Sequence, residues 1–138
     1  MNNRTIYLRT KTGILYCVIK TNLEANTVTL VWNGYQSVES IKSGYVKALQ
    51  LTRAKEGRLK KCLSDQSKML GSPKNINNWL EHEWMPKMFN AGIKHIGFVE
   101  NNELTSSLNM KEVTIKNIFN EPGYSHQLDI QKWLLNKN

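Results

Sequence analysis

Three stretches of this sequence carry residue types that could do chemistry. The first is "SDQSKMLGSPKN" (64–75), where Asp65, Gln66, Ser67, Ser72 and Asn75 bring a carboxylate, two amides and two hydroxyls close together. It reads as a loop following a strand, and open α/β sheets place ligands at the carboxyl ends of such strands. It leads into a helix start near Asn75, where free backbone N–H groups and the positive end of the dipole attract anions. The same side chains also have ordinary structural uses: Asp65 and Ser72 can cap turns, and Asn75 a helix. The second stretch, "EHEW" (81–84), starts like a zinc-protease motif. That chemistry needs a second histidine four residues after His82, and position 86 is Pro86. Glu81, His82 and Glu83 therefore read as the solvated back of a helix. The third, "RAKEGRLKK" (53–61), concentrates Arg53, Lys55, Arg58, Lys60 and Lys61.

The basic run raises the question of nucleic acid, because the chain carries a net charge of +8 with a pI near 9.6. Cationic surfaces bind phosphate backbones by releasing counterions. Yet no aromatic residue is interleaved with the run to stack on bases. Arg53 and Lys55 also close a helix whose C-terminal dipole favours cations. A solvated basic rim is the expected reading. Cys17 and Cys62 lie in apolar runs without metal-ligand spacing and read as buried, reduced thiols of a cytoplasmic protein. His95, in "IKHIGFV", reads as a structural histidine. No phosphate-binding glycine loop, dinucleotide fingerprint or nucleophile elbow is present. No catalytic set, metal site or cofactor is expected.

The elements that would hold these residues follow from periodicity. The length of 138 residues suits one domain (1–138), and 40% hydrophobic with 22% charged residues is ordinary for a globular chain. No apolar run is long enough to span a membrane, and the first residues contain no apolar signal region. "TVTLVWNGYQ" alternates with period two, putting Val28, Leu30 and Trp32 on one face, and Asn33-Gly34 closes the strand. "GILYCVIK" and "TIYLRT" precede it as further strands, which gives an antiparallel beginning. Ser37 caps a helix whose stripe is Val38, Ile41, Tyr45, Leu49 and Thr52, with Gly57 as its stop. Gly44 and Ala48, four apart, allow a close approach to a neighbour. "LKKCLSD" is a short strand.

In "INNWLEHEWMPKMFNAG", Ile76, Trp79, Leu80 and Trp84 share one face, and Met85, Met88 and Phe89 form a second, rotated stripe. Pro86 removes a backbone donor and is expected to kink or restart the helix there. "IKHIGFV" follows as a buried strand and "VTIKNIF" as another. Ser125 then caps a last helix with Ile130, Trp133 and Leu134 facing inward. The order β-β-β-α-β-α-β-β-α predicts an α/β domain with a mixed sheet, antiparallel at first and parallel later, with helices packed on it.

"VWNGYQSVE", "CLSD" with its Gly-Ser-Pro loop, "WLEHEWMPKMFNAGIKHIGFV" and the ending "HQLDIQKWL" together resemble the STAS/SEC14-type domains, the SpoIIAA-like proteins, over roughly residues 14–135. Ile130 stands where that family's terminal helix often carries alanine. The resemblance implies a STAS-like fold of bacterial type and a regulatory role. Its phosphorylated serine lies in an Asp-Ser-Ser-Gly type motif, which the loop after Leu63 lacks, so a phosphoswitch is not carried over. The expectation is a non-catalytic module that engages a protein partner or a small anionic ligand at the 64–75 loop, as monomer or homodimer. Two rivals stand beside it: a ligand or lipid carrier or an enzyme using the same pocket with Asp65 or His95, and a nucleic-acid binder using the 53–61 rim.

Overall fold

The structure, a computed structural model, describes residues 3–99. The strand "VTIKNIF" and the terminal helix with Ile130, Trp133 and Leu134 lie outside the described residues.

There are five strands: β1 (Arg4–Arg9), β2 (Leu15–Asn22), β3 (Thr27–Tyr35) and β5 (His95–Val99), rich in β-branched and aromatic residues, and β4 (Lys61–Gly71), which has neither. They form a single sheet in the order β1-β2-β3-β4-β5. β1, β2 and β3 pair antiparallel, while β3–β4 and β4–β5 are parallel. The mixed α/β architecture expected from the sequence is the one observed.

Two parallel crossovers run in the same direction along the sheet. Right-handedness then requires both helical connections to lie on the same face. The first is α1 (Val38–Ala54), capped by Ser37, whose hydroxyl accepts from the Ser40 N–H at 3.0 Å while the Ser40 hydroxyl accepts from the Ser37 N–H. The helix ends at Ala54, and the chain leaves it through Glu56 and Gly57, both at positive φ. The second crossover is one helical run in three parts: α2 (Ile76–Trp79), a π-helical turn over Leu80–Trp84, and α3 (Met85–Asn90).

Pro86 does not break this run. It lacks an N–H and would crowd the carbonyl four residues back. The turn before it widens, so the Met85 N–H reaches back five residues to the Leu80 carbonyl. Such a wide turn is a known way to absorb an irregularity within a helix. It also re-phases the apolar stripe, so Ile76, Leu80, Trp84, Met85 and Met88 are all buried. Phe89, expected inward, is 38% exposed, and Trp79 is half-buried.

The core lies between sheet and helices. Cross-strand pairing aligns Cys17 with Trp32, Ile19 with Leu30, Leu30 with Ser64 and Ser64 with Phe98 on the helix-covered face. Ile41, Tyr45 and Ala48 of α1, with Leu80, Trp84 and Met88, are buried in the same cluster. Gly44 allows the closest approach. A Cβ there would stand 2.4 Å from Cη2 of Trp32, so the helix is seated on the indole.

Candidate functional site

β4 is longer than its sequence suggested, and this redraws the proposed site. The stretch read as a loop from residue 64 is strand through Gly71. Between Val31/Asn33 of β3 and Asp65/Lys68 of β4 the register shifts, so Gln66 and Ser67 together oppose Trp32 in a bulge. Asp65 supports that bulge: its Oδ1 accepts from both the N–H of Ser67 (3.0 Å) and its hydroxyl (2.7 Å). Polar residues that looked like loop chemistry are thus paired within a strand. The 64–75 loop contracts to the few residues after Gly71.

Ser64 and Gln66 point beneath α1 and join a buried polar network. The Trp32 indole N–H donates to the Ser64 hydroxyl at 3.0 Å, and the Ser64 and Tyr45 hydroxyls meet at 2.8 Å. The Gln66 amide donates to the Tyr45 hydroxyl at 3.1 Å, and the Trp84 indole N–H donates to the Tyr45 carbonyl at 2.7 Å. Tilted rings pack around it, with Tyr45 4.6 Å from Trp84 and 5.0 Å from Trp32 between centroids. Burial drives the Tyr45 phenol well above its ordinary pKa, against the opposing effect of hydrogen bonds from Ser64 and Gln66. A neutral, enclosed phenol holds helix to sheet; it is not placed to exchange protons with a substrate.

The remaining predicted residues lie at the carboxyl-end rim of β3 and β4. Asn75 precedes α2 but makes no side-chain cap. It lines a hollow of about 90 Å³ with Val38, Lys42, Pro73, Ile76 and Trp79, where the Lys42 ammonium sits 5.2 Å from the Trp79 ring centroid. A cation over an indole face is attracted by the ring quadrupole. Ser72 is half-buried just before Pro73. On the other side of the first turns of α1 is a larger cavity of about 350 Å³, lined by Arg9, Lys11, Tyr16, Glu39 and the hydroxyls of Thr10, Ser37, Ser40 and Ser43. A bulge at Tyr16, opposite Leu8/Arg9, turns that side chain toward the helix, where its hydroxyl donates to Ser43 at 3.3 Å. Sequence reasoning missed this second cavity because its residues come from three elements distant in the chain.

The rivals fare differently. His95 pairs with Lys61 at the start of β4, whereas Asp65 pairs with Val99. Four residues of strand, roughly 13 Å, separate the two positions, so they do not form a dyad. In the basic run, Arg53 and Arg58 are exposed but Lys61 is buried, and loss of hydration lowers the pKa of its ammonium. The rim expected to be solvated throughout therefore loses that cation to the interior. Among the described residues no group of three or more His, Cys, Asp or Glu side chains could hold a metal ion, and no helix is long and apolar enough to cross a membrane.

Both cysteines are buried, as expected. Burial pushes the Cys17 thiol up to about 12, and Cys62 is raised further by the same cause. Groups raised on folding hold their protons more tightly in the native chain. Their stabilising effect is complete below the unfolded pKa of about 9 and is lost as pH climbs toward 12. The chain is expected to withstand thiol reagents at pH 8 when native and to react at both sites in urea. Its unfolding free energy should decline as pH rises above about 9, which denaturant melts at stepped pH will measure. Rapid native labelling at pH 8 would contradict the burial.

The fold is that of an α/β domain with one mixed sheet and, among the described residues, helices on one of its faces. Comparison with protein-family models, with curated proteins and with solved structures finds no match to the chain.

Proposed function

We propose that this chain is a non-catalytic binding module of STAS-like, regulatory type, and that it engages a protein partner at the junctions that follow β3 and β4. One observation carries the reading: large apolar side chains stand in water at this rim. Tyr35 is 79% exposed, Val38 53% and Leu70 50%. Isolated exposed apolar residues are common, but here three stand at adjoining strand and helix ends and one of them, Val38, lines a hollow, which favours a contact surface. The rim is firmly built. The Gln36 N–H donates to the Gly71 carbonyl at 2.9 Å, and Tyr35 pairs with Gly71, whose missing Cβ leaves room for the ring. Pro73, Asn75 and the Lys42–Trp79 pair continue the surface from Val38. The sequence resemblance to STAS/SEC14-type domains points the same way, toward recognition rather than turnover.

A second reading, a small anionic ligand, is favoured by the larger cavity, where Arg9 and Lys11 face the capped start of α1.

The two are separated by one set of measurements. Partners captured on the wild-type chain are identified, purified and titrated against wild type and Tyr35→Ser/Val38→Ser. Both positions are exposed, so folding stability should change by no more than about 0.5 kcal/mol each. Loss of a central aromatic anchor should weaken the complex by about 30-fold or more. Equal affinity of the double variant rejects the rim. Titration with inorganic phosphate, followed by amide shifts at Arg9 and Ser37–Ser40, tests the second reading.

A further inference from the structure

We infer that the chain associates with a second copy of itself through the outer edge of β1, joining two sheets into one. Among the described residues no strand pairs with that edge. The direction of its backbone groups follows from two bonds on the inner side. The Arg4 N–H donates to the Thr21 hydroxyl at 3.0 Å, and the Thr10 N–H donates to the Ile14 carbonyl at 2.8 Å. N–H groups alternate sides along a strand, so Ile6 and Leu8 also face β2. Thr5, Tyr7 and Arg9 present their N–H and C=O groups outward, and all three residues are exposed. The register shift with β2 is taken up on β2, leaving β1 itself regular.

Natural sheets protect such edges with proline, an inward-pointing charge or a bulge on the edge itself. β1 contains no proline; of the side chains on its helix-side face, Ile6 and Leu8 are half-buried against the core, and the charged Arg4, at the start of the strand, is exposed and does not point inward. Its sequence also fits its own copy. A two-fold axis through Tyr7 sets each Thr5 opposite the other copy's Arg9 and each Ile6 opposite the other copy's Leu8. All three outward residues then meet outward residues, so every exposed N–H and C=O of the strand finds a partner. Ile6 and Leu8 form two apolar cross-strand pairs on the helix side, and Tyr7 meets its own copy on the other face. Each arginine faces a threonine, Arg4 opposite Thr10 and Arg9 opposite Thr5, so no like charges are directly opposed. Moving the axis to Ile6 would set Arg4 against Leu8 and replace the two Ile6–Leu8 pairs by a single Ile6–Ile6 contact. Such a contact is isologous and closes at two copies.

The test uses the full chain. Light scattering after gel filtration, across a micromolar concentration series, should give twice the 15.9 kDa chain mass. Tyr7→Pro removes an outward N–H while sparing the ladder to β2, and should raise the dimer dissociation constant at least about tenfold through lost and blocked edge bonds. Circular dichroism of the variant should retain the native spectrum. A cysteine pair tests the register. Facing residues in this pairing have Cα atoms about 5.5 Å apart, within disulfide reach. Tyr7→Cys should therefore form a covalent dimer on mild oxidation, while Thr5→Cys alone should not; Thr5→Cys mixed with Arg9→Cys should link the two. A wild-type chain that stays monomeric throughout overturns the inference, as does a Tyr7→Pro dimer of unchanged affinity. Equal cross-linking of Thr5→Cys and Tyr7→Cys overturns the register. Protection of the β1 amides only when another protein is added assigns the edge to a foreign strand and overturns self-pairing.

Discussion

Gly44→Ala is expected to destabilise the chain by about 1–3 kcal/mol, opposite in sign to the usual effect of that change within a helix. At an exposed helix position, replacing glycine with alanine gains up to about 1 kcal/mol from reduced backbone entropy in the unfolded state. Here the added methyl would lie 2.4 Å from Cη2 of Trp32, 3.0 Å from Cζ3 and 3.2 Å from Cζ2. The indole cannot yield cheaply. It is fully buried, its N–H is tied to Ser64 at 3.0 Å, and its ring packs 5.0 Å from that of Tyr45. Either α1 lifts from the sheet or the Trp32–Ser64–Tyr45 network is broken, and both exceed the propensity gain. Urea unfolding followed by circular dichroism measures the difference, with Gln50→Ala on the exposed side of the same helix as the control for propensity alone. A Gly44→Ala chain as stable as wild type would mean that α1 is not seated on Trp32.

The two sides of this contact differed in how easily they could be read from the sequence. Alternation in "TVTLVWNGYQ" placed Trp32 on the buried face because a strand has only two faces, and the 3.6-residue stripe placed Tyr45 inward on α1. Small residues four apart at Gly44 and Ala48 announced a close approach, though not which ring would fill it. The mixed sheet followed from element order, since two helical crossovers between strands enforce parallel neighbours. Composition misled at β4. "SDQS" has no apolar period because its side chains serve a bulge and a buried hydrogen-bonded cluster, not an oily face, so Asp65 passed for the end of the strand and Gln66 and Ser67 for loop residues. The signal for Ser64 and Gln66 was three-dimensional: their partners Trp32 and Tyr45 lie 32 and 19–21 residues away in the chain. Only the end of the stretch, at Ser72 and Asn75, proved to be rim.

The rim and the buried network also explain one another. Tyr35 and Val38 can stand in water because the turns carrying them are held from within, by Gln36 on Gly71 and by the Ser37–Ser40 capping box. The contact surface proposed for this rim would need such backbone anchoring, since exposed apolar side chains contribute nothing to their own placement before a partner arrives.

Trp84→Ala should be the most damaging single truncation on the second crossover, costing about 3–5 kcal/mol and lowering the melting temperature by roughly 10–20 °C. The residue combines two roles that Trp79 does not. It is 1% exposed, with its ring 4.6 Å from Tyr45, and its indole N–H reaches the Tyr45 carbonyl at 2.7 Å. Trp79 is half-buried, 6.4 Å from the same tyrosine, and covers the hollow under Lys42. Trp84→Phe separates the roles. It keeps most of the apolar bulk but removes the donor, and should cost about 1–3 kcal/mol. The expected order of loss is Trp84→Ala, then Trp84→Phe, then Trp79→Ala, read from thermal and urea unfolding of the three variants. That order depends on the widened turn ahead of Pro86: a regular α-helix there would shift the phase of the stripe and bring Phe89 in. If Trp79→Ala or Phe89→Ala proves costlier than Trp84→Ala, the helix presents a different face to Tyr45, and the π turn is not the device that aligns its two halves.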